Sequence, residues 1–214
     1  MSARDLRTRV ERRLQKGPGV RILPESIDQL CDYFGLLAKW NARLNLTALT
    51  IDPPTDEAID RLLVEPAAAV QAVDPTAVNL IDLGSGGGSP AIPLKIVVPR
   101  LKLVMVEAKA RKSAFLRDAI RQLGLLEASV ENARFEELLT RQDLHEASDI
   151  VSVRAVRPDR HLWNPVLAFL KPGGSVLWFG SSVLPAQSVP AEFIVASTFP
   201  LPGNNRLVVL KRAG

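Results

Sequence analysis

The feature that most constrains the fold of this chain is a run of glycines directly after an apolar strand. Residues 79–90 read NLIDLGSGGGSP, so one acid, Asp82, is followed by glycines at positions 84, 86 and 88. Glycine tolerates positive φ and has no Cβ, so this backbone can turn sharply and lie directly against a bound molecule. A strand, a glycine turn and a helix starting near Ser89, its expected N-cap, form the nucleotide-binding corner of an open α/β sheet.

The spacing within this run distinguishes between cofactors. The dinucleotide pattern requires Gly or Ala at its sixth position, and counting from Gly84 that position is Ser89. Acid-x-Gly-x-Gly-x-Gly, from Asp82 to Gly88, fits S-adenosylmethionine better than NAD, so an NAD dehydrogenase is the minor alternative. Asp82 is therefore a candidate cofactor-binding residue together with the glycines. Glu107 ends the next strand, where a carboxylate can accept hydrogen bonds from both ribose hydroxyls. The alternative for Glu107 is an exposed acid at a strand end.

The hydrophobic pattern predicts an α/β fold preceded by helices. Helices are expected over about 1–16, 26–44 and 57–73, the second with a capping box at Ser26 and Gln29. Strands then alternate with helices, two of them expected over about 110–123 and 159–170, which implies a mostly parallel sheet. The predicted strands are 78–83, 101–107, 128–132, 149–155, 175–179, 193–197 and 207–211. The last two form a hairpin, which is the usual ending of a class I S-adenosylmethionine-dependent methyltransferase. We expect a helical extension over 1–75 packed on a Rossmann-like, seven-stranded domain over 76–214.

Composition and charge limit the setting and the partners. The chain has 214 residues, 47% of them hydrophobic, and a single cysteine, so we expect no cysteine-built metal site. Without a long apolar stretch or a signal peptide, a cytoplasmic monomer with no membrane contact is expected. Residues 1–21 carry seven cations against two acids, while the remainder is close to neutral. A basic arm of this kind suggests a polyanion such as nucleic acid, and the alternative is a solvated helix.

Arg154 lies in an apolar run, 151–156, that is predicted to be a central strand. An unpaired guanidinium there would be costly, so it should meet an anion or a ligand at the carboxyl end of the strand. The structural alternative is an ion pair with a neighbouring acid. No motif supplies a general base, which fits a nucleophile with a free lone pair such as guanine N7.

Several motifs together resemble the glucose-inhibited division protein B family, also called RsmG, over nearly the whole chain. They are Trp40-Asn-x-x-x-Asn-Leu-Thr47, Asp82-Leu-Gly-Ser-Gly-Gly-Gly-Ser-Pro-Ala-Ile-Pro-Leu94, Glu107-Ala-x-x-Arg-Lys-x-x-Phe-Leu116, Ala133-Arg-Phe-Glu-Glu137, Arg154-Ala155, Leu170-Lys-Pro-Gly-Gly174 and Arg206-Leu-Val-Val209. The resemblance implies an S-adenosylmethionine-dependent enzyme that methylates guanine N7 in small-subunit (16S) ribosomal RNA, alone or in a ribosomal particle. At matching positions it implies cofactor contacts by Gly84, Ser85, Gly86, Gly88, Ser89, Glu107, Phe135, Glu136 and Arg154. It also places RNA near Asn45, Arg61, Arg111 and Lys112.

The chain departs from the family pattern at three places. Leu62 stands where the family usually has His, Ser89-Pro90-Ala91 replaces Leu-Pro-Gly, and a lysine usually found after the fifth strand is replaced near Trp178–Gly180. These departures fall mainly on the substrate side. They leave open a methyltransferase with a small-molecule or protein substrate, or a cofactor-binding, RNA-associated protein with little turnover.

Overall fold

The structure, a computed structural model, describes residues 3–16, 22–180 and 184–214 and contains one seven-stranded sheet. The strands are β1 (Asn79–Leu83), β2 (Lys102–Val106), β3 (Ala128–Glu131), β4 (Ser148–Arg154), β5 (Leu170–Gly180), β6 (Phe193–Pro200) and β7 (Arg206–Arg212). Their order is β3-β2-β1-β4-β5-β7-β6, with β1 to β5 parallel and β7 antiparallel to both neighbours. The predicted class I methyltransferase fold is therefore confirmed.

Helices cover both faces of the sheet. They are α1 (Ala3–Lys16), α2 (Pro24–Leu44), α3 (Asp56–Ile59), α4 (Glu65–Ala68), α5 (Ala91–Val97), α6 (Ala110–Gln122) and α7 (Arg160–Phe169), and a π-helix, Asp60–Val64, joins α3 to α4. Strand side chains alternate between two apolar cores. Leu80 of β1 faces the core formed with α1 to α6, whereas Ile81 faces the core formed with α7.

Two predicted helix caps are wrong. The α2 helix begins at Pro24, so Ser26 lies inside it and its hydroxyl donates to the Ile96 carbonyl. The Gln29 amide likewise donates to the Leu123 carbonyl on α6. Ser89 does not cap α5, whose N-cap is Pro90 with no side-chain hydrogen bond. The Ser89 hydroxyl instead donates to the Leu62 carbonyl. Each of these three side chains therefore bonds to a carbonyl that is distant in the sequence and does not cap its own helix.

Ion pairs join α1 to α3 and to the π-helix that follows it. Arg9 pairs with Asp56, and Arg13 pairs with both Asp56 and Asp60. Its apolar face, Leu6, Val10 and Leu14, is buried in the core. Part of the basic charge at the amino end therefore attaches the helix to the body. Arg4, Arg12 and Lys16 are exposed. Residues 17–21, which include Arg21 of the predicted basic arm, lie outside the described residues.

Candidate active site

The glycine turn lies at the carboxyl end of β1, as the sequence predicts. Gly84, Gly86 and Gly88 all have positive φ, at 79°, 54° and 86°. The N–H groups of Gly84 and Ser85 both donate to the Val106 carbonyl of β2, at 3.0 Å, which anchors the start of the turn. A Cβ at Gly86 would meet only the Gly84 carbonyl within 4 Å, at 3.8 Å, so that residue faces open space.

One cavity opens on the β2 and β3 side of the turn. This Glu107 cavity has a volume of about 580 Å³ and is lined by Gly84, Val106, Glu107, Ala108, Lys109 and residues 132–137. Phe135 and Glu136, which the family resemblance expects to contact the cofactor, are part of its wall. Its size lies within the usual range for small-molecule sites, about 300–1,000 Å³.

Glu107 is held rigidly at the wall of this cavity. One carboxylate oxygen accepts from the Gly86 N–H at 2.9 Å, and the other accepts from the Lys109 N–H at 2.8 Å. Each carboxylate oxygen can accept two hydrogen bonds, so each retains capacity for a ligand hydroxyl. The carboxylate thus connects the glycine turn to the site where a ribose would lie.

A second cavity opens on the other side of the same turn. This Arg154 cavity, about 540 Å³, is bounded by five segments of chain. They are residues 46–49 after α2, residues 57, 61 and 62 of α3 and the π-helix, the glycine turn with Ser89, Lys112 of α6, and residues 154–156 at the end of β4. Gly84 lines both cavities, so one extended ligand can lie across the turn.

Arg154 enters the second cavity as half of a buried ion pair. Its guanidinium donates to Glu65 at 2.9 Å, and the two side chains are only 11% and 1% exposed. The Asn205 amide donates to the other Glu65 oxygen at 2.6 Å and accepts from Arg61 at 2.7 Å. The guanidinium also lies 4.7 Å from the Phe179 ring centroid. The structural alternative predicted for Arg154, an ion pair with a neighbouring acid, is therefore present. Arg154 also lies at the wall of the cavity.

Pro66 explains why this arrangement forms. Proline has no N–H, so the Leu62 carbonyl, four residues earlier, loses its helical donor. In the π-helix the Glu65 N–H donates to Asp60, five residues back, which leaves the Arg61 carbonyl free as well. Arg154 donates to the Arg61 carbonyl, and the Ser89 hydroxyl donates to the Leu62 carbonyl at 3.1 Å. The helix irregularity thus supplies two acceptors to the site.

Asp82 lies beneath the turn and lines neither cavity. It is 1% exposed, and one oxygen accepts from the Ser152 hydroxyl of β4 at 2.5 Å. Burial raises the pKa of this carboxyl to about 6, against the opposing effect of its hydrogen bonds. Gly88 is also buried, so these two predicted contact residues shape the turn from behind.

A tyrosine on α2 also supports the turn, and sequence reasoning did not single it out. The buried Tyr33 hydroxyl donates to the Gly87 carbonyl at 2.6 Å. Glu65, Pro66 and Asn205 were likewise not predicted as site residues. The sequence did contain one indication of these residues, which is the Glu65-Pro66 pair inside the predicted helix. A proline inside a helix leaves carbonyls without their helical donors, so other groups must donate to them.

The predicted RNA-contacting residues are not all at the cavity. Arg61 and Lys112 line the Arg154 cavity, whereas Asn45 and the exposed Arg111 do not. Asn45 ends α2 in the left-handed conformation, with its N–H bonded to the Asn41 carbonyl. Its structural role is therefore that of a helix C-cap next to the cavity.

The geometry fits S-adenosylmethionine, which the spacing of the glycine run predicts. Gly84 lines both cavities, Gly86 faces open space, and Glu107 offers a carboxylate at the usual ribose position. No cluster of His, Cys, Asp and Glu suited to a metal ion occurs within residues 3–16, 22–180 and 184–214. In the same ranges, no helix combines the length and apolar character needed to cross a bilayer.

Comparison with known proteins identifies the family. The family model described as rRNA small subunit methyltransferase G, GidB, matches residues 26–187. This chain belongs to that family. It is 35% identical to the ribosomal RNA small subunit methyltransferase G of Acetivibrio thermocellus over 158 residues, which cover 74% of this chain and 64% of that protein. It is also 35% identical to the protein of the same name from Carboxydothermus hydrogenoformans, over 75% of this chain and 67% of that one.

The matches to these members of the family span about two thirds of their length. Among solved structures, a putative O-methyltransferase from Klebsiella pneumoniae superposes with a TM-score of 0.63. That match covers 85% of this chain and 90% of the other at 14% identity, so it supports the fold alone. The Ser89 hydroxyl donates to the Leu62 carbonyl, so the two positions that were expected to depart from the family pattern are in contact.

Proposed function

We propose that this protein transfers the methyl group of S-adenosylmethionine to N7 of a guanine in small-subunit ribosomal RNA. The observation that carries the proposal is the pair of cavities that meet at Gly84, one walled by Glu107 and the other by Arg154. The names of the family and of its members support the substrate class. Both cavities lie within one chain, so the proposed reaction requires no second copy of the protein. We expect the reaction to take place in the cytoplasm.

The proposed reaction requires the protein mainly to align the guanine base with the methyl group. Bound S-adenosylmethionine supplies an electrophilic methyl group on a sulfonium. Guanine N7 has a lone pair and carries no proton, so attack needs no general base. The protein must hold the base in line with the methyl group and exclude water, and positioning of this kind can provide most of the rate enhancement.

The residues on each wall of the site have a distinct role in the proposed reaction. Glu107 accepts hydrogen bonds from the ribose hydroxyls, and Phe135 and Glu136 lie beside the adenine. Arg154 is a positioning residue, since it joins Ser89 of the turn to the Arg61 carbonyl of the π-helix. Lys112 and Arg61 stand at the second cavity, where they can neutralise RNA phosphates.

Calorimetric titration with S-adenosylmethionine tests the cofactor assignment. Glu107→Gln replaces one acceptor oxygen with an amide that opposes a backbone N–H, so the affinity should fall by about 10- to 100-fold. Glu192→Gln, a matched change at an exposed site, should leave the affinity unaltered. Absence of binding by the native protein, or equal affinities in the two variants, would refute the assignment.

Methyl transfer from labelled S-adenosylmethionine tests the substrate. The acceptors are naked 16S rRNA and small-subunit particles from a strain lacking the gene, with any modified base mapped by mass spectrometry. One methylated guanine at N7 is expected. Cofactor binding with transfer only to a small molecule or a protein would replace the RNA proposal. Cofactor binding without any transfer would indicate a protein with little turnover.

The exposed cations of α1 provide a separate test of RNA contact. Arg4→Gln, Arg12→Gln and Lys16→Gln together remove three charges without disturbing the α1 ion pairs or its buried face. If α1 contacts RNA, the dependence of affinity on salt concentration becomes shallower. An unchanged salt dependence would assign the charge of α1 to structure alone.

A further inference from the structure

A third cavity, with basic walls, lies between α2 and α6, outside the two cavities at the glycine turn. This α2–α6 groove has a volume of about 370 Å³, and its walls include Lys39, Trp40, Arg43, Asp118, Arg121 and Gln122. Three of these residues are cations and one is an acid. The groove contains no residue of the glycine turn, so the proposed methyl transfer does not account for it.

Trp40 is held in a fixed orientation in this groove. Its indole N–H donates to Asp118 at 3.1 Å, and its ring meets Phe115 edge-on, with centroids 5.8 Å apart. Asp118 is itself fixed, since it also accepts from Arg121 and Gln122, each at 2.6 Å. The indole is only partly buried and forms part of the cavity wall. An ordered aromatic surface of this kind can stack a base without losing side-chain freedom on binding.

The charge of the groove suits a phosphodiester backbone. Lys39 and Arg43 are exposed and flank Trp40 on α2, and the Arg121 side chain on α6 is 75% exposed. Arg121 pairs with Asp118 in high dielectric, where an ion pair is weak and readily exchanged for a phosphate contact. Cations interleaved with an aromatic side chain form the usual binding surface for single-stranded nucleic acid.

The groove lies beside the proposed catalytic site at the end of α2, where Leu44 lines the groove and Leu46 lines the Arg154 cavity. Residues 46–49, which follow α2 directly, line the Arg154 cavity, and so does Lys112 of α6. Arg121 lies nine residues further along the same helix, which corresponds to about 13 Å at 1.5 Å per residue.

We propose that the α2–α6 groove binds a single-stranded segment of RNA that adjoins the methylated nucleotide. In this site one base stacks on Trp40, and Lys39, Arg43 and Arg121 contact the phosphates. The inference rests on the proposed function, because it takes the target RNA to enter the Arg154 cavity. It adds a second contact site that extends the recognised sequence beyond the modified base.

Tryptophan fluorescence tests the stacking directly. The chain has three tryptophans, and Trp163 and Trp178 are only 4% and 7% exposed, so Trp40 should report on the groove. A short single-stranded RNA oligonucleotide should quench the emission of the native protein, and Trp40→Phe should remove that quenching. If the emission does not change at saturating oligonucleotide, no base stacks on Trp40 and the proposal is overturned.

Salt-dependent RNA binding tests the phosphate contacts. Lys39→Gln with Arg121→Gln should weaken oligonucleotide binding by about tenfold and reduce the slope of log K against log salt by about 1.4, or about 0.7 per lost phosphate contact. Arg100→Gln with Lys102→Gln is the matched control. These two exposed residues precede or begin β2, do not line the groove, and should leave both quantities unchanged. Equal binding by the two double variants would overturn the proposal.

The same variants separate this inference from the proposed function. Methylation of rRNA with the same KM in the Lys39 and Arg121 double variant as in the native protein would reject the groove and keep the methyltransferase. Quenching and altered salt dependence without methylation of any rRNA would keep the groove as an RNA site and reject the methyltransferase. Calorimetric binding of S-adenosylmethionine by each variant verifies that it is folded.

Discussion

Gly86 and Gly88 belong to the same turn but have different surroundings, and this difference predicts different costs of substitution. Both have positive φ, so alanine at either position incurs left-handed strain of about 1–2 kcal/mol. A Cβ at Gly88 would also lie 2.5 Å from the Ile92 Cδ1 atom, whereas one at Gly86 would meet open space. Gly88→Ala should therefore lower the free energy of unfolding by about 1–3 kcal/mol more than Gly86→Ala does.

Urea denaturation measures this difference, and Ile92→Val provides an internal check. Valine lacks the Cδ1 methyl group that a Cβ at Gly88 would contact. The cost of Gly88→Ala should therefore be smaller in the Ile92→Val background than in the native one, in a double-mutant cycle. Additive effects of the two substitutions would show that this contact does not limit the turn.

Asp82 should make stability depend on pH in an unusual direction. Burial raises its pKa from 3.8 to about 6, so between these values the folded state binds more protons than the unfolded state. Its contribution is complete below pH 4 and is lost as the pH rises through 6, by roughly 3 kcal/mol. Relative to Asp82→Asn, the native protein should therefore lose stability over this range.

Unfolding curves of both proteins between pH 4 and 8, without cofactor, measure this effect. The difference between them isolates Asp82 from the other carboxylates, which titrate in both. A difference in unfolding free energy that stays constant from pH 4 to pH 7 would contradict the prediction. At the residue scale, the sequence identified Asp82 and Glu107, but not that Ser152 and the Gly86 N–H are their partners.

At the scale of elements, the Arg154–Glu65 pair joins the end of β4 to the start of α4 and, through Asn205, to the loop before β7. Glu65→Ala leaves a buried guanidinium without its carboxylate, which should cost about 3–5 kcal/mol in unfolding free energy. Glu65→Leu combined with Arg154→Met removes both charges and should recover at least half of that loss.

Chemical denaturation of the single and double variants tests this prediction. Asp143→Asn is the control, since it breaks an exposed pair with Arg141 and should change stability little. A double variant no more stable than Glu65→Ala would mean that packing, and not an uncompensated charge, accounts for the loss. The same double variant should have reduced methyl transfer, because Ser89 and the Arg61 carbonyl lose the guanidinium that joins them.

Local sequence patterns predicted most of the helices and strands, but not the residues at which they begin or the groups that cap them. Apolar periodicity located α2, α6 and α7 to within a few residues. The β5 strand begins at Leu170, earlier than predicted, because Ser148 of β4 pairs with Leu170 and extends the ladder through a Pro-Gly-Gly segment. Ser26 and Ser89 were wrongly placed as caps because local spacing carries no information about the distant carbonyls of Ile96 and Leu62.

At the scale of the whole molecule, the amino-terminal helices and the sheet share one apolar core. Leu30 and Phe34 of α2 lie in the same buried cluster as Leu80 of β1 and Leu177 of β5. Removing these helices would expose one face of the sheet to water. We therefore predict that residues 1–75 and 76–214 unfold together in a single transition.

Two optical probes test this cooperativity in Trp40→Phe. The remaining fluorescence comes from Trp163 and Trp178, which pack on the α7 face of the sheet. Circular dichroism at 222 nm reports mainly on the helices. Coincident denaturation midpoints are expected, whereas loss of ellipticity before loss of fluorescence would show that the helical extension unfolds on its own.

The sequence by itself determined the parallel sheet, the glycine turn at the end of β1 and the acid at the end of β2, since each depends on local spacing and backbone freedom. Only the tertiary structure decided what lies around that turn. Glu65, Asn205 and Tyr33 reach it from segments far apart in the chain, through hydrogen bonds that no local pattern encodes. The glycine run therefore indicates where a cofactor binds, and the folded chain determines how its surroundings hold it.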